Sequence, residues 1–174
     1  MRFVRELEVT YRRLPLGDNS PWIGSKIASS RDVSSIFRSA RIFDGQIDES
    51  CWIVMVAGDN RVLGLYRISE GGPTDAGVYP AKVFRGCILS GAVAFIMVHN
   101  HPSGSQQPSA GDRALTQELV KVGDMMRIPC LDHVILPNDS AQWYSFADNG
   151  LIQEYRKWNE LPRQENTEEG KART

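Results

Sequence analysis

This chain of 174 residues has no paired cysteines, no long apolar run and no excess of charge of either sign. Its cysteines, Cys51, Cys87 and Cys130, are an odd number, with no C-x-x-C pair, and each is set among apolar residues. That pattern predicts buried, reduced thiols in a cytosolic protein rather than a disulfide framework. The N-terminus, MRFVRELE, has acidic residues where a signal peptide needs an apolar stretch, and nowhere is the chain apolar for long enough to span a bilayer. A cytoplasmic location with no membrane partner is expected. The net charge of −1 announces neither a nucleic-acid surface nor a lipid surface. Several chemical signatures are also missing. There is no H-E-x-x-H of helical zinc proteases and no P-C-x-x-C beside H-x-E of nucleobase deaminases. The nucleotide loops G-x-x-x-x-G-K-[ST] and G-x-G-x-x-G are absent, as is the G-x-S-x-G elbow. No internal repeat is present.

What remains is the pattern of one soluble domain. Residues 1–12 alternate apolar and polar and predict a strand or extended arm, and residues 13–29 carry Pro15, Gly17, Pro21 and Gly24 and predict a loop. Val33, Ile36, Phe37 and Ala40 recur at helical spacing after Ser29-Ser30, which can cap. The run Cys51–Ala57 and the alternating Arg61–Ser69 flank Gly58-Asp59-Asn60 and predict a hairpin. Glu70–Val78 predicts a loop. Pro80 opens a second helix that Gly91 ends. Residues 92–98 are all apolar and predict a strand buried on both faces. A polar loop is expected over 99–111, then a helix from Asp112 to Met126 and short strands at 131–136 and 143–146. The expected fold class is α/β, a mixed sheet between helices. The expected organisation is an arm and loop over 1–29, a domain over 30–152 and a polar, disordered tail over 153–174, its first residues helical and frayed.

The informative passage is His99-Asn-His-Pro-Ser-Gly-Ser-Gln-Gln-Pro-Ser-Ala-Gly-Asp112. Two of the three histidines stand one residue apart at the end of the apolar strand. In an extended backbone such residues point to one side. Asp112 returns at a helix start, where backbone N–H groups and the dipole favour its ionised form. Two imidazoles and one carboxylate are the three ligands of a catalytic zinc, which leaves a fourth position for water. Ser109-Ala-Gly-Asp112 taken alone reads as a capping box, and capping and catalysis are compatible at one helix start. A hydrolase also needs a general base. Glu49, at the head of the strand 51–57, qualifies if the two strands run so as to bring it near, and Asp48 is the next candidate. His133 fits no ligand spacing. It is expected to be a partly buried strand-start histidine, the other reading being a hydrogen-bonding partner behind the metal ligands.

The motif His99-x-His101-Pro with Ser109 and Asp112, followed by Thr116, Leu119, the Leu131-Asp-His-Val-Ile run and Tyr144-Ser-Phe-Ala-Asp148, resembles the RadC family of the JAB/MPN+ (JAMM) metallopeptidase superfamily. The likeness spans about residues 46–152. It implies a three-layer, cytidine-deaminase-like domain with one zinc ion per chain on His99, His101 and Asp112. It also implies the catalytic glutamate at Glu49 and an oxyanion hydrogen bond from Ser109. The function so implied is zinc-dependent hydrolysis of peptide or isopeptide bonds, associated with DNA repair, on a protein or peptide substrate that the sequence does not identify. The alternatives are a non-enzymatic DNA-repair or mobile-element accessory protein, or a metal-dependent nuclease. Two positions depart from the family: Cys51, where Phe is frequent, and Ala81, where Arg is. Longer members carry a helix-hairpin-helix-like region before the metal domain, for which residues 1–45 are too short and loop-rich. DNA binding is therefore expected to be weak or indirect.

Overall fold

A computed structural model of the chain describes residues 22–70, 78–138 and 140–160. The arm expected over 1–12 and the end of the polar tail lie outside these residues, as does most of the 70–78 loop. Five strands form one mixed sheet in the order β2-β1-β3-β4-β5. They are β1 (Ser50–Val56), β2 (Val62–Glu70), β3 (Ala94–His101), β4 (Cys130–Pro137) and β5 (Tyr144–Ser145). Helix α1 (Ser30–Ser39) precedes β1, α2 (Pro80–Ser90) joins β2 to β3, α3 (Ala110–Met126) joins β3 to β4, and α4 (Leu151–Glu160) follows β5.

The expected hairpin is β1–β2. Its turn places Asn60 in the left-handed region, at φ 62°, a conformation Asn tolerates better than most residues. Strand β3 lies in the middle, antiparallel to β1 and parallel to β4. Covered on both edges and both faces, it is apolar at successive positions, as a central strand must be. Phe95 and Met97 face a core shared with Val83, Phe84 and Cys87 of α2, Leu119 and Val120 of α3, and Ile152 and Tyr155 of α4. Ala94, Ile96 and Val98 face the other way, onto Val33, Ile36 and Phe37 of α1. The domain thus has three layers: α1, the sheet, and α2 with α3 and α4. All three cysteines are free and buried, as their surroundings predict.

Two features differ from the sequence reading, each for a physical reason. The polar loop expected from residue 99 starts only after His101, because β3 continues through His99, Asn100 and His101, paired with Ile135, Leu136 and Pro137 of β4. Ladder pairing is a backbone property and does not stop where side chains become polar. The helical start expected of the polar tail is helix α4, which runs to Glu160 and is packed rather than frayed. Ile152 and Tyr155 are buried against the α3 side of the sheet, and the Arg156 guanidinium donates to the Cys130 carbonyl at 3.0 Å and pairs with Asp124 at 3.4 Å. Leu151, Ile152, Tyr155 and Trp158 recur at helical spacing, but the sequence does not show the surface on which that stripe packs.

Asp132 ties the start of β4 to the turn ahead of α4. Its Oδ1 accepts the His133 and Ala147 N–H groups at 2.7 and 2.8 Å, and its Oδ2 accepts the Ser145 hydroxyl at 2.6 Å. Burial pushes this carboxyl from 3.8 up to about 6, although the hydrogen bonds oppose the rise. A carboxyl raised in the fold contributes stability that is complete below its unfolded value and is lost as the pH rises through its folded value. The parent is therefore expected to lose roughly 2–3 kcal/mol relative to Asp132→Asn between about pH 4 and pH 7. Paired thermal melts across that window measure the difference, and parallel curves would show that Asp132 ionises freely in the fold.

Candidate metal centre

His99 and His101 leave the same face of β3 at its C-terminal end, as their spacing of two predicts. Asp112 is the third residue of α3, and Ser109 is its N-cap in a capping box. The three side chains are almost wholly buried, at 0%, 5% and 1% exposure for His99, His101 and Asp112. The two imidazole Nε2 atoms approach to 2.9 Å. Asp112 Oδ1 lies 3.3 Å from His99 Nε2, and Asp112 Oδ2 lies 3.6 Å from His101 Nε2.

Hydrogen bonds behind the cluster decide where the protons are. His101 Nδ1 donates to the Ser105 carbonyl at 2.8 Å. The Thr116 hydroxyl has one proton and gives it to the Asp112 carbonyl at 2.5 Å, so it accepts from His133 Nδ1 at 2.6 Å. His133 Nε2 is then an acceptor, and His99 Nδ1 donates to it at 2.7 Å. Both ligand-side Nε2 atoms are left with bare lone pairs facing each other. Two such nitrogens in contact repel unless a cation lies between them or one takes up a proton. Asp112 Oδ2 is occupied by the Ser109 N–H and hydroxyl, both at 2.7 Å, which leaves Oδ1 open. Tetrahedral zinc with bonds of about 2.0–2.1 Å spaces its donors about 3.3 Å apart. The donor set therefore fits a metal ion, which His99 Nε2, His101 Nε2 and Asp112 could hold.

The charge states agree with that chemistry. Burial lowers the His99 pKa to about 4, with His101 adding to the fall and Asp112 opposing it, so the ring is neutral at neutral pH. Burial works against ionised Asp112, but the hydrogen bonds from His101 and Ser109 and the field of His99 outweigh it and hold the carboxyl well below the usual range. Burial alone would lower His101, yet the Asp112 carboxylate and the Ser105 carbonyl raise it. His101 is thus the ring that takes the relieving proton when no cation does, and binding of an ion displaces that proton.

Cys51 of β1 pairs with His99 of β3, so Glu49, two residues earlier, sits at the His101 end. The strand directions are the ones its candidacy requires. Glu49 is half-buried; burial raises its pKa, the Asp112 carboxylate adds to the rise, and His101 opposes it. Ser109 is at the cluster, but its hydroxyl proton is given to Asp112. Donation to a substrate would require that hydroxyl to rotate away. His133 is neither partly buried nor at a strand start, as was expected of it. It is 0% exposed, stacked on Phe146 with ring centroids 4.9 Å apart, and bonded to His99 as described. Its pKa is well below the ordinary value, first through burial and then through His99. His133→Ala is expected to weaken metal binding about 10–100-fold, because His99 loses the acceptor that fixes its tautomer. Competition against a chelator measures this, and undiminished affinity would make the His133–Thr116 relay irrelevant to the site. Asn100, buried between the two histidines on the other face of β3, went unnoticed in the sequence. The signal available was a polar residue on the alternate face of a buried strand.

The sequence profile of a family described as "RadC-like JAB domain" matches residues 27–151. The chain belongs to that family. Among curated proteins, the RadC-like domain is 36% identical to a "UPF0758 protein" of Chlorobaculum parvum over 142 residues, covering 82% of this chain and 61% of the relative. A "UPF0758 protein" of Flavobacterium johnsoniae is 32% identical over 127 residues, covering 73% and 54% respectively. One of Desulforudis audaxviator is 38% identical over 101 residues, covering 58% and 43%. Those names state no activity. The chain spans about six tenths of the relative from Chlorobaculum parvum. Among the described residues no helix is long and apolar enough to cross a membrane.

Proposed function

We propose that the RadC-like domain is a zinc-dependent hydrolase of peptide or isopeptide bonds. The observation that carries the reading is the convergence of His99 Nε2 and His101 Nε2 to 2.9 Å beside the Asp112 carboxylate, with Glu49 at the same strand end. Zinc held by three protein ligands supplies Lewis-acid chemistry, polarising a carbonyl and acidifying water. The chain's own residues do the rest. His99 and His101 present their Nε2 atoms and keep their Nδ1 protons on His133 and Ser105. Asp112 supplies a carboxylate that stays ionised throughout. Glu49, with its pKa raised, accepts the proton of the attacking water and returns it to the departing amine. Ser109 holds Asp112 in place, and its hydroxyl turns to the oxyanion as the carbonyl becomes tetrahedral, a donation typically worth about 10²–10³ in rate.

The test is metal analysis of protein purified without chelator, followed by a screen of peptide, isopeptide-linked and DNA substrates. One zinc per chain and cleavage of an amide bond are expected. DNA affinity is expected to be weak and free of a steep salt dependence, since net charge −1 offers no row of phosphate contacts. DNA cleavage, or tight binding that falls steeply with salt, would replace this reading with the nuclease or accessory one.

A further inference from the structure

Asn100 stands between the two histidines in sequence, on the opposite face of β3, and is completely buried. Its carboxamide is committed at both ends. Oδ1 accepts the Ser50 N–H at 2.7 Å, and Nδ2 donates to the Asp48 carbonyl and to Asn138 Oδ1, each at 3.1 Å. A backbone N–H can only donate and a backbone carbonyl can only accept, so the orientation of this amide is not in question. The Asp48 carbonyl and the Ser50 N–H belong to the two peptide groups that flank Glu49. One side chain therefore grips the chain on both sides of the Glu49 Cα.

Among the described residues, ladder pairing comes no nearer to Glu49 than Ser50, which pairs with Glu70 of β2 on the side of β1 away from β3. Backbone pairing of β1 with β3 ends at Cys51 and His99, two residues short of Glu49. On the β3 side, beyond that point, the carboxamide takes the place of a strand partner. A second amide extends the grip: Asn138 Nδ2 donates to the Gln46 carbonyl at 2.7 Å, and the Asn138 N–H donates to the His101 carbonyl at 3.3 Å. The Ser50 hydroxyl adds a bond to Gln46 Oε1 at 2.7 Å. Residues 46–50 are thus bound to the same strand end that presents His99 and His101. An aspartate at position 100 would set an acceptor against the Asp48 carbonyl, and an apolar residue would leave two buried backbone groups unpaired.

We propose that Asn100 is a positioning residue that fixes the Glu49 carboxylate at the metal-ligand cluster. This rests on the reading of Glu49 as general base. The strand segment that supplies two ligands then also sets the geometry of the base through the residue between them. Loss of the carboxamide frees Glu49 without touching a ligand.

The experiment compares the full chain with its Asn100→Ala variant, both labelled with ¹³C in glutamate and loaded with Co²⁺ as the probe. Both proteins are expected to bind one Co²⁺, with the paramagnetic shift of Met97 unchanged. The shift of the Glu49 carboxyl carbon is expected to be largely lost in the variant as the side chain averages over many positions. Amide exchange at Ser50, which needs no metal to read, is expected to rise roughly tenfold while Val54 and Phe95 keep their protection. An unchanged Glu49 shift and Ser50 exchange rate would overturn the proposal, and so would loosening spread evenly over β1 and β3. If Asn100→Ala does not fold, Asn138→Ala removes only the outer part of the grip. It should give the same pattern with a smaller loss, and no change there would also overturn the proposal. A fully active Glu49→Gln protein would instead remove Glu49 as the base, whatever these spectra show.

Discussion

Glu49→Gln is expected to keep its metal and to slow hydrolysis by about 10²–10⁴-fold. The ligand atoms that could hold the ion come from His99, His101 and Asp112, and Glu49 is not among them. Replacing it by its isosteric amide therefore leaves the donor set intact, while the amide cannot accept a proton at neutral pH. The structure adds a pH signature. Burial and the Asp112 carboxylate hold the Glu49 pKa above its ordinary 4.5. A base must be deprotonated to act, so the rate is expected to climb with pH through a value above 4.5, and that limb should be missing from the residual activity of the variant. Metal analysis with steady-state rates across pH distinguishes this from a structural effect, which would lower metal content or leave the limb in place. Full activity in Glu49→Gln would move the base elsewhere, with Asp48 next. Asp48 is a weaker candidate on the structure, because its side chain is exposed and only its backbone carbonyl is held by Asn100.

How much of this was legible in the sequence follows from the range of the interactions concerned. His99, His101 and Asp112 were readable because strand alternation and a helix start are local rules, and both hold here. The hairpin, the helix opened by Pro80 and the buried central strand were readable for the same reason. His133 was not. It reaches His99 because β4 pairs in parallel with β3, Met97 beside His133, after a crossover through α3. No spacing within the sequence carries that register. Asn100 was hidden differently: its neighbours in the chain define the metal site, but its bonds go to the segment 46–50, which the sequence shows only as the run ahead of a strand. The helical start of the tail was read, but not its packing, because the partners of Ile152 and Tyr155 lie in distant elements. Glu49 lies between these cases. The resemblance pointed to it, and the antiparallel pairing of β1 with β3 supplied the direction on which its candidacy depended.

Asp112→Ala is expected to abolish stoichiometric metal binding and leave the fold standing, as is treatment of the parent with a chelator. Asp112 offers the sole carboxylate of the ligand set, and without it two imidazoles make a poor site. The same substitution removes the carboxylate that receives the Ser109 N–H and hydroxyl in the capping box. A further loss of about 1 kcal/mol from the start of α3 is therefore expected, and it is separable because Asp112→Asn should keep much of the cap while still losing the metal. The fold should survive because both cores close without the cluster. Phe95, Met97 and Leu119 pack on one face of the sheet, and Ile96, Val98 and Phe37 on the other, through contacts that involve no ligand atom. A structural zinc folds its domain outright, whereas an ion bound at the mouth of a finished core adds only its linkage energy, about 4 kcal/mol at a thousandfold excess over Kd. Circular dichroism and thermal melts with and without chelator read the difference. A lower Tm with unchanged secondary structure at room temperature is expected. Collapse of the secondary structure on chelation would show that the metal is a staple, and the reading of the cluster as a catalytic centre would go with it.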